Sequence, residues 1–215
     1  MYSRLDELLA KVRKNVKAGF NHVGTLGFDE LNVVNTRKTT KSLYDRLLAE
    51  NEAAYLKAAK AAYRDGRKHA GTAGYRGDEE TAIDGDWLLT VLVGYNLVTG
   101  YIYKAEAERK RLRLNEQILT AREYDSRQAM NDSLRRAANL WWTQTAQYGI
   151  DVVDAATLQA YTDAGVKKVR WVAEIDDKTC GICQGRDGKI YDIKKAPKKT
   201  HYSCRCYLEP VKTEE

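Results

Sequence analysis

The residues best suited to chemistry lie near the C-terminus, where Cys180-Gly181-Ile182-Cys183 is followed by His201-Tyr202-Ser203-Cys204-Arg205-Cys206. A CxxC turn lets two thiolates converge on one ion, and a histidine three residues before a cysteine offers two more corners of a tetrahedron. The two pairs stand 17 residues apart. Cys180, Cys183, His201, Cys204 and Cys206 are five candidate ligands for four positions, so a closed, structural site is expected, completed by one or both of Cys204 and Cys206. Zinc is the expected metal. The Asp187-Gly188 step between the pairs suits a tight hairpin turn flanked by strand candidates at 189–193 and 205–208, a hairpin that would bring the pairs together.

Other chemistries fit these cysteines less well. Disulfides are possible with an even count, but no secretory signal is evident, and they would leave His201 unexplained. A thioredoxin-type pair lacks its βαβ context. A catalytic zinc needs an open position and a general base, and neither HExxH nor the HxE with PCxxC of deaminases occurs. Lys194, Lys195, Lys198 and Lys199, with Arg205 close by, form either a solvated loop or a phosphate-contacting patch held by the metal. His22 and His69 are isolated and read as surface or loop residues, and Trp87, Trp141 and Trp142 as core.

The elements that must position this site follow from composition and period. The 215 residues are 43% hydrophobic and 31% charged, a globular balance with room for one large and one small domain, and the mean hydropathy of −0.60 favours polar, helix-rich surfaces. A net charge of +6 admits a nucleic-acid or acidic partner without showing one. The first residues carry charges throughout and no apolar h-region, so neither a signal peptide nor a lipid anchor is expected, and a cytosolic protein is. The uncharged stretch 87–103 is too short and too polar for a membrane span and reads as a buried helix and loop.

Leu5, Leu8, Leu9, Val12 and Val16 recur at helical spacing, as do Leu43, Leu47, Leu48, Tyr55, Leu56, Ala59 and Tyr63 within 39–64. Residues 19–35 between them read as turns. The clustered Gly66, Gly71, Gly74 and Gly77 predict a flexible loop near 66–77. Residues 104–148 form one long helix or two in series, with Leu112, Ile118, Leu119, Met130, Leu134, Ala138, Trp141 and Trp142 as buried positions. A short helix over 154–164 ends at Gly165. In 168–175 the period changes to two, with Val169, Trp171, Ala173 and Ile175 on one face of a strand. The predicted fold is mainly α: a helical body over 1–150 and a zinc-stapled α+β module over 151–215.

The run from Gly165 to Trp171, then Asp176, Thr179-Cys180, Cys183, Asp187-Gly188, Pro197, His201, Cys204-Arg205-Cys206 and Pro210-Val211 resembles the C-terminal module of phage Mu F-like minor head proteins, also called head morphogenesis proteins. Residues 155–161 are similar to that module's approach helix, and 101–118 to a helical region of related proteins. Family members often carry an Arg-Thr-Glu run before the module, of which Ala121-Arg122-Glu123 is a remnant. The resemblance implies a non-enzymatic minor capsid protein acting in head assembly, with the portal protein and major capsid protein as partners, double-stranded DNA as a further one, and no membrane or small-molecule substrate. Its place would be the host cytoplasm during assembly and the phage head thereafter. The alternative is a cytosolic zinc-containing nucleic-acid-binding protein that uses the lysine loop and the basic helix around Arg109 to Arg113. An enzyme or toxin is disfavoured by the lack of a further domain after Val211.

Overall fold

In the computed structural model the described residues are 2–76, 82–95, 99–201 and 204–212, without side chains at 2–5, 8 and 99–103. Leu5, Leu8 and Gly77, used above, therefore lie outside what is described. About 71% of the chain is helical, with one small sheet at the C-terminus, so the mainly α expectation holds. The helices are α1 (Tyr2–Gly24), α2 (Val33–Thr72), α3 (Gly85–Gly94), α4 (Thr99–Glu123) and α5 (Arg127–Asp163), with a 3₁₀ turn at Phe28–Glu30. Strand β1 (Lys168–Val172), the one-turn helix α6 (Gly181–Gln184), β2 (Ile190–Asp192) and β3 (Tyr207–Val211) complete the chain.

By contacts the chain forms two compact units: Glu7–Ala54 with Val98–Ala146, and Met1–Asp6 with Tyr55–Leu97 and Gln147–Glu215. The first is all helix. Val12, Val16, Phe20 and Val23 recur every three or four residues along α1 and are all buried, as are Leu43, Tyr44 and Leu47 of α2, Leu114 and Ile118 of α4, and Met130, Leu134 and Trp141 of α5. Burying each such side chain contributes roughly 1.5–3 kcal/mol. Tyr44 sits edge-on to Phe20 and Trp141, with ring centroids 6.0 and 5.0 Å away. Residues 104–148 lie in two helices in series. Asp125 takes φ +51° between α4 and α5, Ser126 N–H closes on Ala121 O at 2.8 Å, and the Ser126 hydroxyl accepts Ala129 N–H at 3.2 Å. Leu112 was expected in the core and is 52% exposed. Its stripe instead runs through Ala107, Leu114, Ile118 and Ala121, interrupted by the polar Asn115, whose side chain accepts a hydrogen bond from Thr40.

The second unit corrects the glycine loop. Gly66 and Gly71 lie inside α2, and at Gly66 an added Cβ would stand 2.8 Å from Ala160 Cβ of α5. This glycine is a helix-packing contact. Of the described glycines in this cluster, Gly74, at φ +84°, has the turn role, with Tyr75 N–H closing on Ala70 O at 3.0 Å. Likewise 154–164 is not a separate helix, because α5 runs unbroken to Asp163 before Gly165 (φ +90°) ends it. Tyr161 OH donates to Leu208 O at 3.1 Å and Tyr75 OH to Val211 O at 2.8 Å, so α5 and the end of α2 both hold β3. In α3, Leu88, Val91 and Leu92 are buried, and among the described residues no helix is long and apolar enough to cross a membrane.

The sheet has the order β2-β1-β3, antiparallel throughout, with Val169 opposite Tyr191 on one side and Pro210 on the other. Proline is tolerated in β3 because that strand is an edge. The expected hairpin is thereby corrected. The two strand candidates, observed as β2 and β3, do not pair with each other; each pairs with β1, which takes the centre. Strand β1 is also shorter than predicted, stopping at Val172 and leaving Ile175 59% exposed.

Candidate metal centre

The site is built by an excursion between β1 and β2. Trp171 N–H donates to Lys189 O and Gly188 N–H to Trp171 O, both at 2.9 Å, which closes the ladder across residues 172–187 and aims that segment back over β1. Gly188 has φ +71°, the conformation for which a glycine follows Asp187. Side chains pin the excursion: Asp187 Oδ1 accepts Ala173 N–H at 2.8 Å, Asp176 Oδ1 accepts Lys178 N–H at 2.9 Å, and Asp176 N–H donates to Thr179 Oγ1 at 2.9 Å. The chain then enters α6 with Cys180 at its start, the thiol sulfur accepting Cys183 N–H at 3.5 Å.

The second ligand segment comes back from the lysine loop. Cys204 N–H reaches His201 O at 3.1 Å, a turn that places ring and thiol on the same side. The outcome is two overlapping groups of donors, Cys180 with Cys183 and His201, and Cys183 with Cys204 and Cys206, the atoms of each group within 4.8 Å of one another. His201 Nε2 is 3.3 Å from Cys180 Sγ, and the Cys183 and Cys204 sulfurs are 3.5 Å apart. A tetrahedron with metal–sulfur bonds of about 2.3 Å has edges of about 3.8 Å, so these two separations are close to those between ligands of an ion, although the two groups share only Cys183. A cavity of about 10 Å³ lies among Cys180, Cys183, His201, Cys204 and Cys206. That is room for a single small particle. The five predicted ligands thus line one small cavity in two overlapping groups, either of which could hold a metal.

The electrostatics suit a cation. The N–H of Cys183, then the Cys183 side chain and His201, hold the Cys180 thiol down at about 6, which favours the thiolate that metals require. Burial pushes the thiols of Cys183 and Cys204 up; the sulfurs of Cys180, Cys206 and Cys204 add to the rise at Cys183, whereas at Cys204 the Cys206 N–H and the Cys183 thiol oppose it. Trp171, 1% exposed, forms the floor beneath Cys183, Cys204 and Cys206. Arg186 lies over its ring, 5.1 Å from the centroid, and donates to Lys198 O at 3.0 Å, linking α6 to the lysine loop.

The basic residues proposed for phosphate divide. Lys194, Lys195 and Lys198 are exposed. Lys199 is buried and its ammonium lies 2.8 Å from Asp154 Oδ1 on α5, so it anchors the loop and does not face solvent. Arg205 is ion-paired with Asp176 and, at 3.4 Å, with Glu174. It clasps the first ligand segment to the second, and its guanidinium is the main reason the Asp176 carboxyl is held at about 2. Asp151, one turn before Asp154, is raised to about 6 by burial. Neither Asp154 nor Asp151 was picked out from the sequence, where the only signal was two acids three apart on an otherwise apolar helix segment.

Residues 104–209, just under half of the chain, match the family model described as Phage Mu protein F like protein. Over that region the chain is similar to the Mu F-like family. No curated protein and no solved structure matches it. The Mu F-like region takes in nearly all of α4, α5, the sheet as far as Glu209, and all five candidate ligands, so it is wider than the run from Gly165 to Val211 whose motifs carried the resemblance. The Mu F-like family implies a role in phage head morphogenesis.

Proposed function

We propose that this Mu F-like chain is a non-enzymatic minor head protein that docks on the portal protein and on the inner face of the major capsid shell while the head is built. The observation that carries the reading is the coincidence of the family region with the Cys/His centre: residues 104–209 contain every donor from Cys180 to Cys206. Zinc is the ion proposed there, held by Cys180, Cys183, His201 and one or both of Cys204 and Cys206. Its chemistry is structural, because four or five protein donors leave no position for a reacting water. The metal orders a three-stranded sheet whose apolar core is small, and the ordered module supplies a rigid contact surface. Lys194, Lys195 and Lys198 are the loop residues that would meet packaged double-stranded DNA. The chain's working place is then the host cytoplasm during assembly and the head thereafter.

Quantitative mass spectrometry on purified particles and assembly intermediates tests this. Copies comparable in number to the portal protein are expected. Absence from both mature particles and intermediates overturns the reading.

A further inference from the structure

The net charge of the protein is unevenly placed. Glu7–Ala54 and Val98–Ala146 together hold 17 Lys and Arg against 12 Asp and Glu, five of the net +6. Helix α1 carries the imbalance furthest: residues 8–28 include Lys11, Arg13, Lys14, Lys17 and His22 and no acid. Within this unit α1 and α2 approach closely at Gly19, where an added Cβ would stand 2.8 Å from Leu43 Cδ1 and 2.9 Å from Arg46 Nη2. Beside that contact a groove of about 420 Å³ opens between α1, the 3₁₀ turn and α2. Its apolar lining includes Leu26, Leu31 and Leu43, and its charged lining Lys38, Arg46 and Glu30.

We propose that this groove receives an acidic segment of a partner protein, with an apolar side chain seated on the leucines and carboxylates on Lys38 and Arg46. The volume is within the range of binding pockets, roughly 300–1,000 Å³, and suits a few side chains. Lys38 has no acidic partner among the described residues, and the nearest carboxylate to Arg46 is Glu50 at 3.9 Å, beyond hydrogen-bond reach. Both cations are therefore available to an incoming anion without breaking a tight pair. The leucines decide between kinds of anion. A nucleic-acid backbone has no apolar side chain to place on them, and Glu30 in the same wall repels a row of phosphates. A peptide supplies both apolar and acidic groups, and its amide or basic groups can meet Glu30. That the partner is a component of the head rests on the function proposed above; the groove's chemistry does not.

The test uses the purified full chain and a fluorescein-labelled peptide of Leu and Glu at helical spacing, read by anisotropy. Saturable binding is expected. Lys38→Glu with Arg46→Glu should weaken it about tenfold or more, whereas Lys14→Glu with Lys17→Glu, the same charge change on α1 outside the groove, should have a much smaller effect. Ser42→Trp, which fills the groove without altering charge, should block the peptide too, and unchanged helical circular dichroism should accompany every variant. Equal losses from the two charge reversals, no saturable binding, or displacement of the peptide by duplex DNA that itself requires Lys38 and Arg46 would each overturn the proposal. Peptide binding by a chain that proves absent from particles would leave the groove standing and remove the head reading alone.

Discussion

Replacing Lys199 by methionine removes the ammonium that anchors the lysine loop to α5 while keeping most of the side chain's volume. Lys199 is the more enclosed partner, its side chain 3% exposed against 28% for Asp154. Breaking a fully buried pair costs about 3–5 kcal/mol, and the partial access of water to Asp154 lowers the expected loss to about 2–3 kcal/mol at pH 7. The sign with pH follows from Asp154, whose carboxyl is already pushed up by burial although Lys199 pulls it down. Without Lys199 it rises further. A carboxyl raised in the fold contributes stability that is present below its unfolded value of about 3.9 and is lost as pH rises through the folded one. The gap between variant and parent should therefore be wide at pH 7 and narrow as pH falls toward 4, because the carboxyl raised further in the variant takes up its proton first. Urea unfolding followed by circular dichroism at the two pH values, with zinc in excess throughout and each variant compared with the parent at the same pH, gives the difference directly. Adding Asp154→Leu should recover most of the loss by removing the stranded charge. Equal losses at both pH values, or a double variant as unstable as the single one, would refute the reasoning.

Three further outcomes are expected. Chelation, or Cys183→Ser, should expose residues from about 166 onward to protease while the helices of the other unit stay resistant, since zinc binding supplies on the order of 10 kcal/mol to small modules; unchanged protection of the tail would count against a structural metal. Cys204→Ser and Cys206→Ser should each retain one bound ion per chain, because each cysteine lies with Cys183 in the same donor group and either can close the tetrahedron, whereas the double variant should lose it; metal analysis by mass spectrometry decides. Gly66→Ala should cost about 1–3 kcal/mol in urea unfolding, since the new methyl overlaps Ala160 and at least one helix must shift.

The misread positions share a physical cause. The buried faces of α1, of β1 and of the ligand segments were legible because the period of apolar residues and the spacing of cysteines are properties of the sequence near each site. Gly66 was read as a loop because glycine is a weak helix former, and what holds it in α2 is Ala160, 94 positions away, against which only a residue without Cβ fits. Lys199 was read with its lysine neighbours because charge is visible in a sequence and partnership is not; its partner Asp154 lies 45 positions earlier, on a helix. Strand β1 was legible, but its central place was not, because a strand between two edges and a strand in a hairpin have the same period. The same distinction bears on function. The Cys/His centre could be named from spacing alone, whereas the elements that make it rigid, Arg205 on Asp176, Lys199 on Asp154 and Tyr161 on β3, are long-range pairings. Two of these pairings fasten the module to α5, and the Mu F-like region contains that helix together with the sheet and the ligands. From residue 147 on, the family region therefore has a physical basis: the ligand loops, whose donors could hold a metal, and β3 are both held against α5.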